Sequence, residues 1–216
     1  MTSSSVSNAL APIVYVVDDD EAIRSAVSDL LRSVDITSSE HPNTQDFLLA
    51  KPHAPFGCIL LDVRLPGVNG LDFQLQLEKN GISLPVVFMT GYGDISMSVR
   101  AMKAGAVDFL TKPFLEQDVL DAVNSAFAIS RDRQQKETTI SSLAARYDTL
   151  TPREREVMHE VVKGRMNKQV AFNLGISEIT VKIHRGNMMR KMEAKSVVEL
   201  VKQCEILWPD RHHTSV

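Results

Sequence analysis

The first half of the chain alternates short unbroken apolar runs with segments whose apolar residues recur every three or four positions. The runs are Ile13-Val-Tyr-Val-Val17, Cys58-Ile-Leu-Leu61, Pro85-Val-Val-Phe-Met-Thr90 and Val107-Asp-Phe-Leu-Thr111. Most lack strict alternation, as strands covered on both faces do. Between them, Ile23, Ala26, Val27, Leu30 and Leu31 predict a helix from about Glu21 to Ser33. Pro42-Asn43 opens a short helix around Phe47 to Leu49, and Leu71, Leu75 and Leu77 predict another, closed by Asn80-Gly81. Ile95 to Ala104 predicts one more, ending at Gly105, while Asp35 to Ser39 is a weak strand candidate. Five β-α repeats in this order imply an α/β fold, a five-stranded doubly wound parallel sheet with helices on both faces.

From Leu115 to Thr151 there is neither Gly nor Pro. Helical spacing holds through Val119, Leu120, Val123 and Phe127 and again through Ile140, Leu143, Ala144 and Tyr147, with an almost wholly polar stretch over Ser130 to Thr139. One long helix with a solvated middle accounts for this; a linker broken in that middle is the competing reading. Further helices are predicted from Pro152 to Lys163, Asn167 to Leu174, Glu178 to about Met192 and Ser196 to Ile206, the last with Val197, Val198, Val201 and Cys204 on one side. The second and third of these, joined by a tight turn at Gly175, make a helix-turn-helix pattern. The expected division is a domain over 11–128, a helical linker over 129–147 and an all-α, four-helix domain over 148–208.

Charge separates the two halves. The net of −3 conceals 8 Lys and Arg against 16 Asp and Glu in residues 1–130, and 16 against 11 in residues 131–216. An acidic domain followed by one that prefers a polyanion fits, although a basic helical surface can also be merely solvated. Cys58 and Cys204 lie far apart in apolar contexts, form no metal or redox motif, and read as reduced core residues. No run reaches membrane-spanning length and the Ser-rich start lacks signal-peptide regions, so no membrane association and a cytoplasmic location are expected.

Parallel strands bring their carboxyl ends to one edge, where open α/β sheets bind ligands. At those ends the sequence has Asp18 and Asp19, Asp62, Thr90 and Lys112. Asp62 alone could be a turn or cap residue beside Pro66-Gly67. Together, facing carboxylates call for a cation, and oxygen-only ligands favour a hard ion such as Mg²⁺. A carboxylate can attack a phosphoryl group when a metal and a lysine neutralise its oxygens.

Val16-Val-Asp-Asp-Asp20, Leu61-Asp62-Val-Arg-Leu-Pro66-Gly67-Val-Asn-Gly70, Met89-Thr90-Gly91 and Phe109-Leu-Thr-Lys112-Pro113-Phe114 resemble the receiver domain of two-component response regulators over about residues 11–128. The resemblance implies that Asp62 accepts phosphate from a sensor histidine kinase. It also implies that Asp18, Asp19, Asp62 and the Arg64 carbonyl hold Mg²⁺, and that Lys112 pairs with the phosphoryl group. Thr90 and Phe109 would be the switch pair, and the Lys112–Pro113 bond would be cis. Arg64 and Tyr92 are bulky at positions where such domains vary, which bears on phosphate lifetime. Asp18-x-Asp20 also resembles the nucleophile motif of haloacid-dehalogenase-type phosphatases, a rival that leaves Asp62 and the basic half unexplained. Gly91-x-Gly93 lacks a third glycine and there is no P-loop, so nucleotide binding has little support.

Leu150-Thr-Pro-Arg-Glu-Arg-Glu-Val157, Asn167-Lys-Gln-Val-Ala171, Ile176-Ser177 and Thr180-Val-Lys-Ile-His184 with Asn187 resemble the LuxR-type helix-turn-helix over about 148–206. With the receiver, the chain is similar to NarL/FixJ-family regulators, which are not enzymes, and loosely to StyR-like regulators of aromatic-compound catabolism through Gly93 to Lys103 and Met166-Asn-Lys-Gln169. On the Glu178–Met192 helix, Val181, Met188 and Met192 share an inner face; Ile183, Gly186 and Arg190 point outward, with Lys182 flanking. The resemblance makes Lys182, Ile183 and Gly186 base-reading positions, though Gly186 has no side chain to read with. Asn167, Lys168, Thr180 and Arg185 are expected phosphate contacts, with an internal ion pair open for Arg185. Promoter DNA, RNA polymerase and a homodimer formed on phosphorylation are the further implied partners. A regulator acting through protein contacts without DNA is the other rival.

Overall fold

The computed structural model describes residues 11–50, 56–91 and 105–209, with the side chains of Val68, Leu71 and Glu78 left aside. In the first unit, β1 (Ile13–Val17), β2 (Thr37–His41), β3 (Gly57–Asp62), β6 (Val86–Thr90) and β7 (Asp108–Thr111) form one parallel sheet in the order β2-β1-β3-β6-β7. Helices α1 (Glu21–Ser33), α2 (Thr44–Leu49) and α3 (Gly70–Lys79) connect the early strands. The helix expected over Ile95 to Ala104, Tyr92 and the Gly93 to Lys103 likeness lie outside the described residues.

Alternate side chains of each central strand enter different cores, which is why the runs carry no polar position. Tyr15, Val17, Ile59, Leu61 and Phe88 pack with Phe47 of α2 and Phe73 and Leu77 of α3. Val14, Val16, Cys58, Leu60, Val87 and Met89 pack with Val27 and Leu31 of α1 and with Val119, Ala122, Val123 and Ala126 of the helix after β7. Burial pushes the Cys58 thiol up to about 12, so it is inert packing.

The second strand is Thr37–His41 rather than Asp35–Ser39, because Asp35 turns out of α1 with φ 59°, a left-handed conformation that Asp tolerates. A small hairpin of β4 (Arg64–Leu65) and β5 (Val68–Asn69), turned at Gly67 with φ 80°, lies between β3 and α3. Its two-residue strands carry no periodicity to read. Gly70, which follows, is held by approach: a Cβ there would lie 2.7 Å from the Asp62 carbonyl oxygen.

The Gly- and Pro-free stretch is one helix, α4 (Glu116–Asp148), 33 residues and about 50 Å long. The chain divides into two compact units within it, between Gln134 and Gln135. Contacts to the first unit run past the expected boundary at 128. Phe127 packs on Phe56 at 5.5 Å, Ser130 Oγ accepts from the Gly57 amide at 3.1 Å, Arg131 lies over the Phe56 ring, and Arg133 donates to the Ser83 carbonyl at 2.8 Å.

The second unit adds α5 (Pro152–Val162), α6 (Asn167–Leu174), α7 (Glu178–Lys191) and α8 (Val197–Leu207). They enclose Leu150, Val157, Met158, Val161, Val170, Val181, Met188, Met192 and Leu200. On α8 the packed side is Leu200 and Gln203 with Val197 and Cys204, whereas Val198 is 67% exposed. The expected Val197-Val198-Val201-Cys204 face is therefore wrong at Val198, which on a 3.6-residue turn stands nearly opposite the buried Leu200. Neither Cys58 nor Cys204 is in a disulfide. No helix among the described residues is long and apolar enough to cross a membrane.

Ser130→Ala leaves the buried Gly57 amide without its acceptor and should lower the first unit's stability by about 1–3 kcal/mol. Urea denaturation followed by circular dichroism measures this; an unchanged midpoint would show that the hydroxyl does not anchor α4.

Candidate functional site

The sheet order reverses beside β1, between β1 and β3, and the acidic residues stand at the carboxyl ends of those two strands. Asp62 ends β3 and is 7% exposed; Asp18 follows β1 and is fully buried; Asp19 is exposed. One carboxylate oxygen from each lies within 4.8 Å of the others. Lys112, after β7, reaches across β6 to this group. Its Nζ donates to Asp18 Oδ2 at 2.5 Å and to Asp62 Oδ2 at 3.0 Å, and its amide donates to the Thr90 carbonyl at 2.6 Å. The Lys112–Pro113 bond is cis.

Every polar side of Asp18 is engaged. Its Oδ1 accepts from the Asp20 amide, its carbonyl from Arg24 Nη1 at 2.8 Å, and its amide donates to the His41 carbonyl. Burial raises its carboxyl above the usual carboxylate range despite Lys112. Burial also opposes charge on Lys112, but the hydrogen bonds to Asp18 and Asp62 prevail and hold its ammonium above the usual lysine value. Three carboxylates around one lysine leave negative charge over, and a hard divalent cation with oxygen ligands fits that donor set. Asp62 Oδ1 also accepts from the Arg64 amide at 3.1 Å. The Thr90 hydroxyl, 1% exposed, donates to the Gly91 carbonyl, while Phe109 is half-buried against the Phe88 core. Asp20 stands apart as the N-cap of α1, accepting from the Ala22 and Ile23 amides. Its place before an apolar helical run was the signal for that.

In the second unit the reading face expected on α7 is open: Lys182, Ile183, Gly186 and Arg190 are exposed, as is Lys168. Asn167 and Arg185 instead find each other, Arg185 Nη1 donating to Asn167 Oδ1 at 2.8 Å. The internal partner of Arg185 is thus an amide oxygen rather than a carboxylate, and the pair ties α6 to α7. Thr180 lies 2.8 Å, hydroxyl to hydroxyl, from the N-cap Ser177. Arg190 donates to Asn187.

Two buried glutamates missed by sequence reasoning tie α5 to the rest of the domain. Glu154, 3% exposed, accepts from the Thr151 amide at 2.8 Å and from Lys191 Nζ at 2.7 Å, linking the start of α5 to the end of α7. Glu160 accepts from Asn173 Nδ2 at 2.6 Å and pairs with Arg165 and Lys163. Thr151-x-x-Glu154 was legible as a capping box; the lysine 37 positions on was not.

The comparisons with known proteins agree with both halves. The family model described as "Response regulator receiver domain" matches residues 14–124, and that described as "Bacterial regulatory proteins, luxR family" matches 148–203. The chain is a two-component response regulator. It is 46% identical to nodulation protein W of Bradyrhizobium diazoefficiens over 94% of this chain and 89% of that one. It is 42% identical to response regulator protein TodT of Pseudomonas putida over 91% and 87%. Transcriptional regulatory protein FixJ of Azorhizobium caulinodans is 40% identical over 88% and 90%. Among solved structures, the response regulator StyR superposes with a TM-score of 0.80 at 42% identity, covering 90% of this chain and 98% of that one. Full-length FixJ from B. japonicum gives 0.56 at 37%, covering 91% and 97%. This response regulator is therefore a DNA-binding transcription regulator and not a phosphatase, and Asp20, occupied as a helix cap, is not placed for the phosphatase motif.

Asn173 is the leading influence that holds the Glu160 carboxyl below the usual range, with Arg165 next. For Glu154, burial raises the carboxyl, but Lys191 and the Thr151 cap outweigh it and the net shift is also downward. Groups depressed by folding stabilise above their unfolded value and lose that contribution as pH falls through the folded one. The second unit should lose stability on acidification below about pH 4.3, and Glu160→Gln should flatten that loss. Thermal melts from pH 7 to pH 3, read at Trp208, measure it; parallel pH profiles for wild type and variant would contradict the assignment.

Proposed function

We propose that Asp62 is the phosphoryl acceptor and that its modification controls dimerisation and promoter binding. The observation that carries this is Lys112 Nζ spanning Asp18 and Asp62 at the strand edge, with Asp19 within reach. An Asp62 carboxylate oxygen attacks the phosphorus of a phosphohistidine on a sensor kinase; the P–N bond breaks and the imidazole leaves with its electron pair. Asp18, Asp19, Asp62 and the Arg64 carbonyl would hold Mg²⁺, which when bound shields the charge on the transferred group. Lys112 turns from carboxylate to phosphoryl oxygen. Thr90 exchanges its Gly91 carbonyl for a phosphoryl oxygen, and Phe109 moves into the space behind it. Arg64, exposed beside Asp62, influences the lifetime of the acyl phosphate.

The altered surface is the one around Phe109–Lys112 and the start of α4, and it would pair two chains into a homodimer. Two DNA heads in one dimer bind a paired site far more tightly than either alone. Lys182 and Ile183 read bases, Gly186 lets the backbone approach, Lys168, Arg190 and Thr180 meet phosphates, and the Asn167–Arg185 pair presents its remaining donors to the backbone. Val197 and Cys204 belong to the domain's own core, so a contact between heads would use Val198 and Ile206, 67% and 43% exposed. The domains would run 11–128, 129–147 and 148–208. The regulator would act in the cytoplasm and engage RNA polymerase.

Acetyl phosphate with Mg²⁺ should label wild type with acid-labile phosphate, and Asp62→Asn should take up none; wild-type stoichiometry in the variant would make the acceptor another residue. Sedimentation with beryllofluoride should show a dimer, whereas a monomer that gains DNA affinity would place the switch within one chain. Lys182→Ala should relax sequence preference by about 1–3 kcal/mol, while Lys168→Ala should weaken all DNA alike and flatten the salt slope. Equal losses on specific and random duplexes for both variants would overturn that assignment.

A further inference from the structure

Helix α7 is apolar on two opposite faces. Val181, Met188 and Met192 beside its end are fully buried in the domain core, but Ile179 is 71% and Ile183 is 58% exposed. A helix on a domain surface ordinarily turns polar residues outward. Single exposed isoleucines are common; here two stand one above the other, four positions apart, and the same row continues through Gly186 and Arg190. Ile179 thus belongs to the outward row proposed to face DNA, one turn nearer the helix N-terminus, and that end contacts base edges in helix-turn-helix proteins.

We propose that Ile179 is a further specificity-determining residue, which together with Ile183 selects two thymine methyl groups about two base steps apart. The inference rests on the reading of α7 as the helix in the major groove. Isoleucine has neither donor nor acceptor, and the thymine methyl is the apolar group that base pairs present in that groove. Four helical residues advance about 6 Å, close to two base steps of about 3.4 Å. Both side chains are stiff at χ1, so each presents a fixed surface. The backbone beneath Ile179 is fixed as well: Ser177 Oγ accepts from the Thr180 amide at 3.1 Å.

The test is selection of sites from a random duplex library by the full-length protein with Mg²⁺ and beryllofluoride, for wild type, Ile179→Ala, Ile183→Ala and Lys182→Ala. Both isoleucines are exposed, and matching thermal melts establish that the variants fold. Each selected thymine is then replaced by deoxyuridine, which removes only the methyl group. Wild type should lose about fourfold in affinity at each of two thymines, the value for one methyl group removed from water. Ile179→Ala should become insensitive at one of them and keep the other, with Ile183→Ala the reverse. An Ile179→Ala variant as sensitive as wild type at every position, or weaker on all DNA equally, overturns the inference. A Lys182→Ala variant that selects the wild-type sequence would take α7 itself out of the groove, so the two failures are distinct.

Discussion

Lys112 is the contact on which the first unit's chemistry depends. It is the point at which β7, at the sheet edge, reaches over β6 to the buried Asp18 of β1 and the Asp62 of β3. Without a cation between them, two carboxylates this close would repel and one would take up a proton. Their proximity is imposed by the sheet: Val17 pairs with Leu61, and Asp62 with Met89, so the carboxyl ends cannot drift apart. The apolar runs that read as strands are thus also what holds charge together at one edge.

The second unit solves a related problem with different parts. A recognition helix must keep an outward face free while its inner face packs, and burial of Val181, Met188 and Met192 settles its rotation. Position along its axis is settled by ions: Lys191 at its end is bound by Glu154 on α5, and Arg185 in its middle by Asn167 on α6. Both attachments leave Lys182, Ile183 and Arg190 exposed.

Much of this was legible in the sequence because its signals are local. Unbroken apolar runs, Gly175 after α6 and Pro152 behind Thr151 each fix an element boundary through nearby atoms. What was not legible depends on distant partners. Nothing around Ser130 announces that its hydroxyl serves Gly57, 73 positions away. Asp18, Asp19 and Asp20 look alike in sequence, yet one is buried on a lysine, one is exposed and one caps a helix. The α8 error has a different origin: adjacent valines cannot share a helix face, and burial of Leu200 decides which one turns inward.

Charge at the strand edge decides what the site can hold: two of three clustered carboxylates share one lysine, and the cluster is compatible with a divalent ion. Of the three, Asp19 is exposed and is not part of the Lys112 bridge to Asp18 and Asp62, so changing it removes a proposed metal ligand while sparing that bridge. Calorimetric titration of Mg²⁺ into wild type and Asp19→Asn is the most direct measurement. One ion per chain in wild type, with binding lost in the variant, is the predicted result. Equal Mg²⁺ affinity in both, or no binding to wild type, would contradict it.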